Sequence, residues 1–337
     1  MVSRIMASVE TDPLVWPIRF ADVLAAERRI RPWVPETPLR RYAALDAAVG
    51  DGIAVFVKHE NHAPTNAFKV RNAFSVMSAL TKEERSRGVV TPTRGNHGLG
   101  VACAAAALGV RATVCVPIGN NPEKNEGIRG FGAELVEEGR DYDEAVLVAE
   151  RLVRERGMHL VHATNDARVI AGAATLTLEM LREEPRLDAI VYAVGGGSQA
   201  VGGLVVARAL APGLEAYGVQ AEGASAGRES WRAGRPVTTA SAATFADGLA
   251  TRSSYAMTFP ALREGLADFV TVTDAEIAEA LRLLLRTTHN LAEGAGAAGL
   301  AGLRKLSERL AGRTVGVVLS GGNIDRTTLA RVVASGI

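Results

Sequence analysis

Cysteine is nearly absent from this sequence. Its two, Cys103 and Cys115, lie in apolar runs without the spacing of a metal site and read as reduced core residues. Aromatic residues make up only 5% of the chain, too few and too scattered for a platform on which single strands of nucleic acid would stack. Charge of one sign is also lacking: the formal net charge is +1, which gives no field for nucleic acid or a charged membrane surface. No run of 18 apolar residues occurs, and the N-terminus lacks a signal-peptide core. The expectation is a cytoplasmic protein with no nucleic-acid and no membrane partner.

What is present is ordinary globular material, 47% hydrophobic and 22% charged over 337 residues, enough for one large domain or two moderate ones. Short apolar stretches alternate with helical patterns. The expected strands are Ile53–Val57, Val89–Thr91, Thr113–Val116, Glu134–Glu137, His159–His162, Ala189–Val194, Ala216–Gln220, Phe269–Val272 and Thr314–Leu319. Amphipathic segments such as Asp143–Arg156 and Asp274–Thr288 lie between them. That alternation predicts an α/β protein of three α/β/α layers and mostly parallel sheets, with ligands at the carboxyl ends of strands. The tight β-α repeat from Val89 to Thr164 predicts an inserted small domain (88–165) within a larger one (1–87 and 166–337), with a cleft between two lobes. Residues Gly223–Ala243 read as a long surface loop.

Four motifs fall at strand-to-helix junctions. TPTRGNHGLG (91–100) crowds Thr93, Arg94, Asn96 and His97 into a turn where one glycine and one cap would suffice. VGGGS (194–198) follows a strong strand; its glycines let N–H groups converge on one phosphate at a helix start, although a tight turn is the alternative. NAFKVR (66–71) places Lys69 in the first turn of a helix expected to begin near Asn66. A full-time positive charge is unfavourable there, and a solvated surface lysine is the alternative. LSGGN (319–323) ends a buried strand on Ser320, a ligand contact or equally a helix cap.

Together and in this order, the four motifs resemble those of pyridoxal-phosphate enzymes of the tryptophan-synthase-β type, above all the serine/threonine ammonia-lyase (dehydratase) and serine racemase group. The resemblance implies pyridoxal 5'-phosphate as cofactor and Lys69 as its Schiff-base lysine and the base at Cα. Phe68 would pack near the ring, Asn96 would hydrogen-bond its 3' oxygen, and Gly195, Gly196, Gly197 and Ser198 would hold the phosphate. Ser320 would meet the pyridine nitrogen, with Glu293 of LAEGAGAAG nearby. Thr93, Arg94, Gly95, Asn96 and His97 would line the substrate side. The implied reaction is β-elimination on a 3-hydroxy amino acid of the threonine/serine class, giving a 2-oxo acid and ammonia, in a homodimer or other homo-oligomer. β-Replacement, racemisation, or selectivity for 3-hydroxyaspartate or phenylserine are the alternatives on the same scaffold.

The sequence departs from the group in several places. Arg94 stands where the racemases resemble one another in a serine that works on the opposite face of Cα, and an arginine stays protonated. Asn66-Ala67 replaces the usual Gly-Ser, and Leu99 a glutamine. Glu222 matches one carboxylate of the group's cation site, but Arg228 falls where a second is expected, so no metal is expected there, with the guanidinium in the cation's place.

Overall fold

A computed structural model gives the fold and describes residues 15–334. The ends of the larger expected domain, 1–14 and 335–337, lie outside the described residues, as does the stretch read for a signal core. Among the described residues the strands are β1 (Leu39–Arg41), β2 (Ala54–His59), β3 (Val89–Pro92), β4 (Ala112–Val116), β5 (Glu134–Glu137), β6 (His159–Leu160), β7 (Ala189–Ala193), β8 (Glu215–Ala221), β9 (Asp268–Val272) and β10 (Thr314–Leu319). They form a six-stranded sheet in the order β1-β2-β10-β7-β8-β9 and a four-stranded sheet in the order β5-β4-β3-β6. Every pairing is parallel except β1 with β2. The α/β class and its parallel sheets are as the alternation predicts.

Burial explains the strand sequences. All five residues of β7, AIVYA, are buried, as a parallel strand covered by helices on both faces requires. One large apolar cluster joins β7, β8 and β10 to the helices Asp274–Thr288 and Gly294–Lys305. A second packs the opposite face of the same sheet against Ala167–Glu183 and Ser198–Leu210.

Two expectations need correction. The helix expected near Asn66 begins at Lys69, because Asn66 has φ +52 and donates its N–H to Ala63 in a turn; a left-handed residue cannot start a right-handed helix. Within the stretch read as a loop, Ala226–Ala233 is a helix stopped by Gly234 at φ +67. Its hold is two small residues, Ala226 and Ser230, buried on one face, a pattern too short to see in the sequence.

The connections fix where a ligand can go. From β3 the chain moves through β4 to β5 on one side, then returns to β6 on the other. From β7 it moves through β8 to β9, then returns to β10 on the other side. The carboxyl ends of β3 and β7 are therefore topological switch points, where diverging loops leave a crevice. Thr93–His97 follows β3 and Gly195–Ser198 follows β7.

Candidate active site

One cleft opens on both crevices, and it brings together every site residue expected from the sequence: Phe68, Lys69, the turn Thr93–His97, Gly195–Ser198, Glu293 and Ser320 all line it.

Lys69 is the first residue of the helix Lys69–Met77. A Cβ on Gly100 would stand 2.9 Å from the Lys69 carbonyl oxygen, and one on Gly172 would stand 2.6 Å from that of Arg71. The start of the lysine helix is thus clamped by two others that approach at backbone distance. Below it, the buried Arg71 guanidinium bonds Glu60 at 2.8 and 2.9 Å and Glu179 at 2.8 Å through each terminal nitrogen. Lys69 lines the cleft and is half-buried, with its amine largely desolvated. Nζ donates to the Ala163 carbonyl at 3.2 Å and stands 4.9 Å from the centre of the Phe68 ring. No carboxylate among the described residues pairs with it. Burial alone lowers its pKa from 10.5 to about 8.

The turn after β3 is tightly bonded. Thr93 Oγ1 accepts from the N–H groups of Gly95 at 2.9 Å and Gly98 at 3.2 Å. That leaves the N–H groups of Asn96 and His97, at the start of the helix Asn96–Leu108, without helical acceptors. The Asn96 side chain accepts from Asn323 at 2.8 Å and donates to Glu293. Glu293 is fully enclosed, and burial raises its carboxyl pKa against the pull of Lys124.

The glycine turn after β7 is crowded. A Cβ on Gly195 would stand 2.2 Å from the Gly248 carbonyl, and one on Gly196 would stand 2.0 Å from Thr164 Oγ1. Gly197 has φ +91, and the 13-residue helix Ser198–Leu210 follows. On the other side, the Ser320 carbonyl accepts from Phe68 N–H at 3.0 Å, and the Gly321 carbonyl from Glu293 N–H at 3.0 Å. The turn after β10 therefore ties the lysine loop to Glu293.

Some expected contacts are placed differently. His97 Nε2 bonds the Val161 carbonyl at 3.1 Å, its Nδ1 is buried without a partner, and burial lowers its pKa to about 3. A neutral ring of this kind cannot pair with a carboxylate as a cation. Arg228 donates to the Phe269 carbonyl at 3.4 Å and not to Glu222, which is exposed. Among the described residues no group of three His, Cys, Asp or Glu side chains is placed to hold a metal.

Sequence reasoning missed Lys124, Asp247, Tyr142, Tyr255 and Thr258. Lys124 lies in the first turn of the helix Pro122–Gly130, where the argument applied to Lys69 would have flagged it. Its Nζ stands 3.2 Å from Asp247 and 3.6 Å from Glu293. Thr258 Oγ1 donates to the Gly196 carbonyl at 2.7 Å, a contact that no spacing in the sequence signals.

Comparison with known proteins gives the same picture. The family model described as pyridoxal-phosphate dependent enzyme matches residues 30–321. The L-threonine ammonia-lyase of Thermotoga maritima is 36% identical over 95% of this chain and 79% of its own length. An L-threo-3-hydroxyaspartate ammonia-lyase of a Pseudomonas species is 35% identical over 91% of this chain and 95% of its own. Maize serine racemase superposes with a TM-score of 0.89 at 30% identity, over 93% of this chain and 96% of that one. With the match over residues 30–321 and these relatives, and with a half-buried lysine, a glycine turn and a serine lining one cleft, the chain belongs to the family of pyridoxal-phosphate dependent enzymes. The residues fit that cofactor: an enclosed amine without an acid partner for its aldehyde, a helix start with glycines that admit no side chain for its phosphate, and a hydroxyl at the end of β10 for its ring nitrogen.

Proposed function

We propose that this protein is an ammonia-lyase that removes the hydroxyl and amino groups of a 3-hydroxy amino acid, leaving a 2-oxo acid. Pyridoxal phosphate supplies an electron sink for the pair of electrons left at Cα when its proton departs. Lys69 Nζ would hold the cofactor, and the same nitrogen, once free, is the base that takes the Cα proton. Its lowered pKa suits that task near neutral pH. The N–H groups of Gly195, Gly196, Gly197 and Ser198 would hold the phosphate at the helix start. Asn96 and Ser320 would orient the ring, Phe68 would pack beside it, and Glu293 would fix Asn96. The N–H groups of Asn96 and His97 would take the substrate's α-carboxylate, in a turn that Thr93 and Gly95 shape.

Atoms balance without an oxidant. The Cα–H and Cβ–O bonds break and water leaves; water then returns to cleave the C–N bond, so the net loss is one ammonia. A guanidinium, which is what Arg94 offers, is a poor general base for the far face of Cα, which favours elimination over racemisation. We further read the protein as a cytoplasmic homodimer or other homo-oligomer. No helix among the described residues is long and apolar enough to cross a membrane.

The observation that carries the proposal is the enclosed, acid-free amine of Lys69 in one cleft with the glycine turn. Borohydride reduction of the holoenzyme followed by peptide mapping should place the cofactor on Lys69. A screen of serine, threonine, 3-hydroxyaspartate and phenylserine should yield 2-oxo acid and ammonia from at least one. Cofactor trapped on another lysine, or no 2-oxo acid from any of the four, would overturn it.

A further inference from the structure

Outside the groups already assigned, the cleft is rich in hydrogen-bond donors and, among the described residues, has no free acid. Its two lining carboxylates are Asp247 and Glu293, and Lys124 engages both, at 3.2 and 3.6 Å. Arg94 lines the same cleft, is exposed, and pairs with no described residue. Its backbone is nonetheless fixed. Thr93 is buried and bonds Gly95 N–H at 2.9 Å, and a Cβ on Gly95 would stand 2.5 Å from Lys124 Cδ. Arg94 therefore springs from a rigid turn on the wall of the cleft.

Two phenols share that space. Tyr142 comes from the helix after β5 and Tyr255 from the loop before β9, and both line the cleft. Burial raises both pKa values, so both remain protonated and donate. Neither hydroxyl has an acceptor among the described residues. Arg252 stands 4.0 Å from Asp141, an ion pair joining the two segments that carry the tyrosines.

The α-carboxylate of a bound amino acid is already provided for by the helix start at Asn96, and its amine by the cofactor. What remains is the substituent on Cβ. A hydrogen or a methyl group, as in serine or threonine, would leave a guanidinium and two phenols without partners. A carboxylate would satisfy all three, and bidentate pairing with an acid is what arginine does best. We propose that Arg94, with the hydroxyls of Tyr142 and Tyr255, recognises a second carboxylate on Cβ, so that the preferred substrate is a 3-hydroxy dicarboxylic amino acid. This rests on the ammonia-lyase reading. The products would be a 2-oxo dicarboxylate and ammonia, by the same balance of bonds.

The test is kcat/KM of the holoenzyme for threo-3-hydroxyaspartate, threonine and phenylserine, in the wild type, Arg94→Ala, Tyr142→Phe and Tyr255→Phe. The wild type should favour the diacid by about tenfold or more. Arg94→Ala should lower the diacid value on the order of a hundredfold and shift the diacid-to-threonine ratio at least tenfold; each phenylalanine variant should shift that ratio about threefold to tenfold. A binding measurement runs beside the kinetics: succinate should raise the Tm of the wild-type holoenzyme more than butyrate does, and Arg94→Ala should remove the difference. Equal losses on diacid and threonine, or a wild-type preference for threonine or phenylserine, would overturn the inference and leave the lyase reading standing. If no substrate yields 2-oxo acid, the lyase reading falls, and equal effects of succinate and butyrate would then end the diacid site as well.

Discussion

The amide of Asn96 and the carboxylate of Glu293 are bonded side chain to side chain, joining the turn after β3 to the residue that precedes the helix Gly294–Lys305. Lys124, from the four-stranded unit, stands 3.6 Å from the same carboxylate and 3.2 Å from Asp247. The two sheets are thus tied together beside the cleft by a buried Lys124–Glu293 pair and by the more exposed Asp247. Burial opposes the Lys124 charge, but Glu293 and Asp247 outweigh it and raise its pKa.

Lys124→Met should therefore be costly. It leaves the Glu293 carboxylate enclosed with Asp247 as its nearest charge, and breaking a buried pair on one side costs about 3–5 kcal/mol. Calorimetry should show a Tm lower by several degrees, and Glu293→Gln added to it should recover part of the loss. A double variant no more stable than the single one would remove the charge argument.

Arg71 makes a second test of buried charge. Its guanidinium joins Glu60, Glu179, Thr37 and Thr175, and Lys58 Nζ stands 2.7 Å from Glu179. Arg71→Lys keeps the charge but loses the planar fork that serves two acids at once. It should cost about 2–4 kcal/mol and loosen the start of the lysine helix, seen as a lower Tm and faster loss of cofactor on dilution. A variant with wild-type Tm and cofactor retention would show that charge alone suffices.

Much of this was legible beforehand, for identifiable reasons. The nine expected strands are present within two residues at each end, because parallel strands covered on both faces must be continuous apolar runs. The tenth, β1, reads LRR with its last two residues exposed; an edge strand of three residues carries no period. The motif residues stood out because polar groups and glycines crowd at the ends of strands, and the structure gathers them in one cleft. Arg71, Glu60, Glu179 and Lys58 look like solvated charges in the sequence, since nothing local says that four of them will neutralise one another in the interior. Tyr255 depends on how two sheets meet, which no local pattern encodes, and Lys124 carried only the weak signal of a cation in a helix's first turn.

The pKa of Lys69 predicts how the apoprotein takes up its cofactor. Only a neutral amine adds to an aldehyde. With a pKa lowered by burial to about 8, roughly half the Lys69 amine is neutral at pH 8, against under about 1% for an ordinary lysine. The rate of cofactor capture, followed by absorbance, should rise through a midpoint near pH 8 and level off above it. A midpoint near 10.5 would mean that the amine is solvated.

The same desolvation makes a prediction about stability. In the folded apoprotein the Lys69 amine has a pKa of about 8, against 10.5 unfolded. Between those values the unfolded chain binds more protons, so stability rises with pH there. The penalty for enclosing the charged amine is fully present below about pH 8, at roughly 3 kcal/mol for a shift of this size. It fades as pH climbs towards 10.5. Lys69→Met removes the charge, leaves no carboxylate unpaired, and fills the same volume with an apolar stem. At pH 7 the Lys69→Met apoprotein should thus melt above the wild-type apoprotein, with the gap narrowing as pH rises from 8 to 10, while turnover is abolished. Cofactor added to wild type should reverse the order, since binding stabilises only the folded state. Melting curves of both apoproteins at pH 7, 8, 9 and 10 decide the matter: a Lys69→Met protein less stable at pH 7, or a gap independent of pH, would show that the amine carries its charge at no cost where it lies.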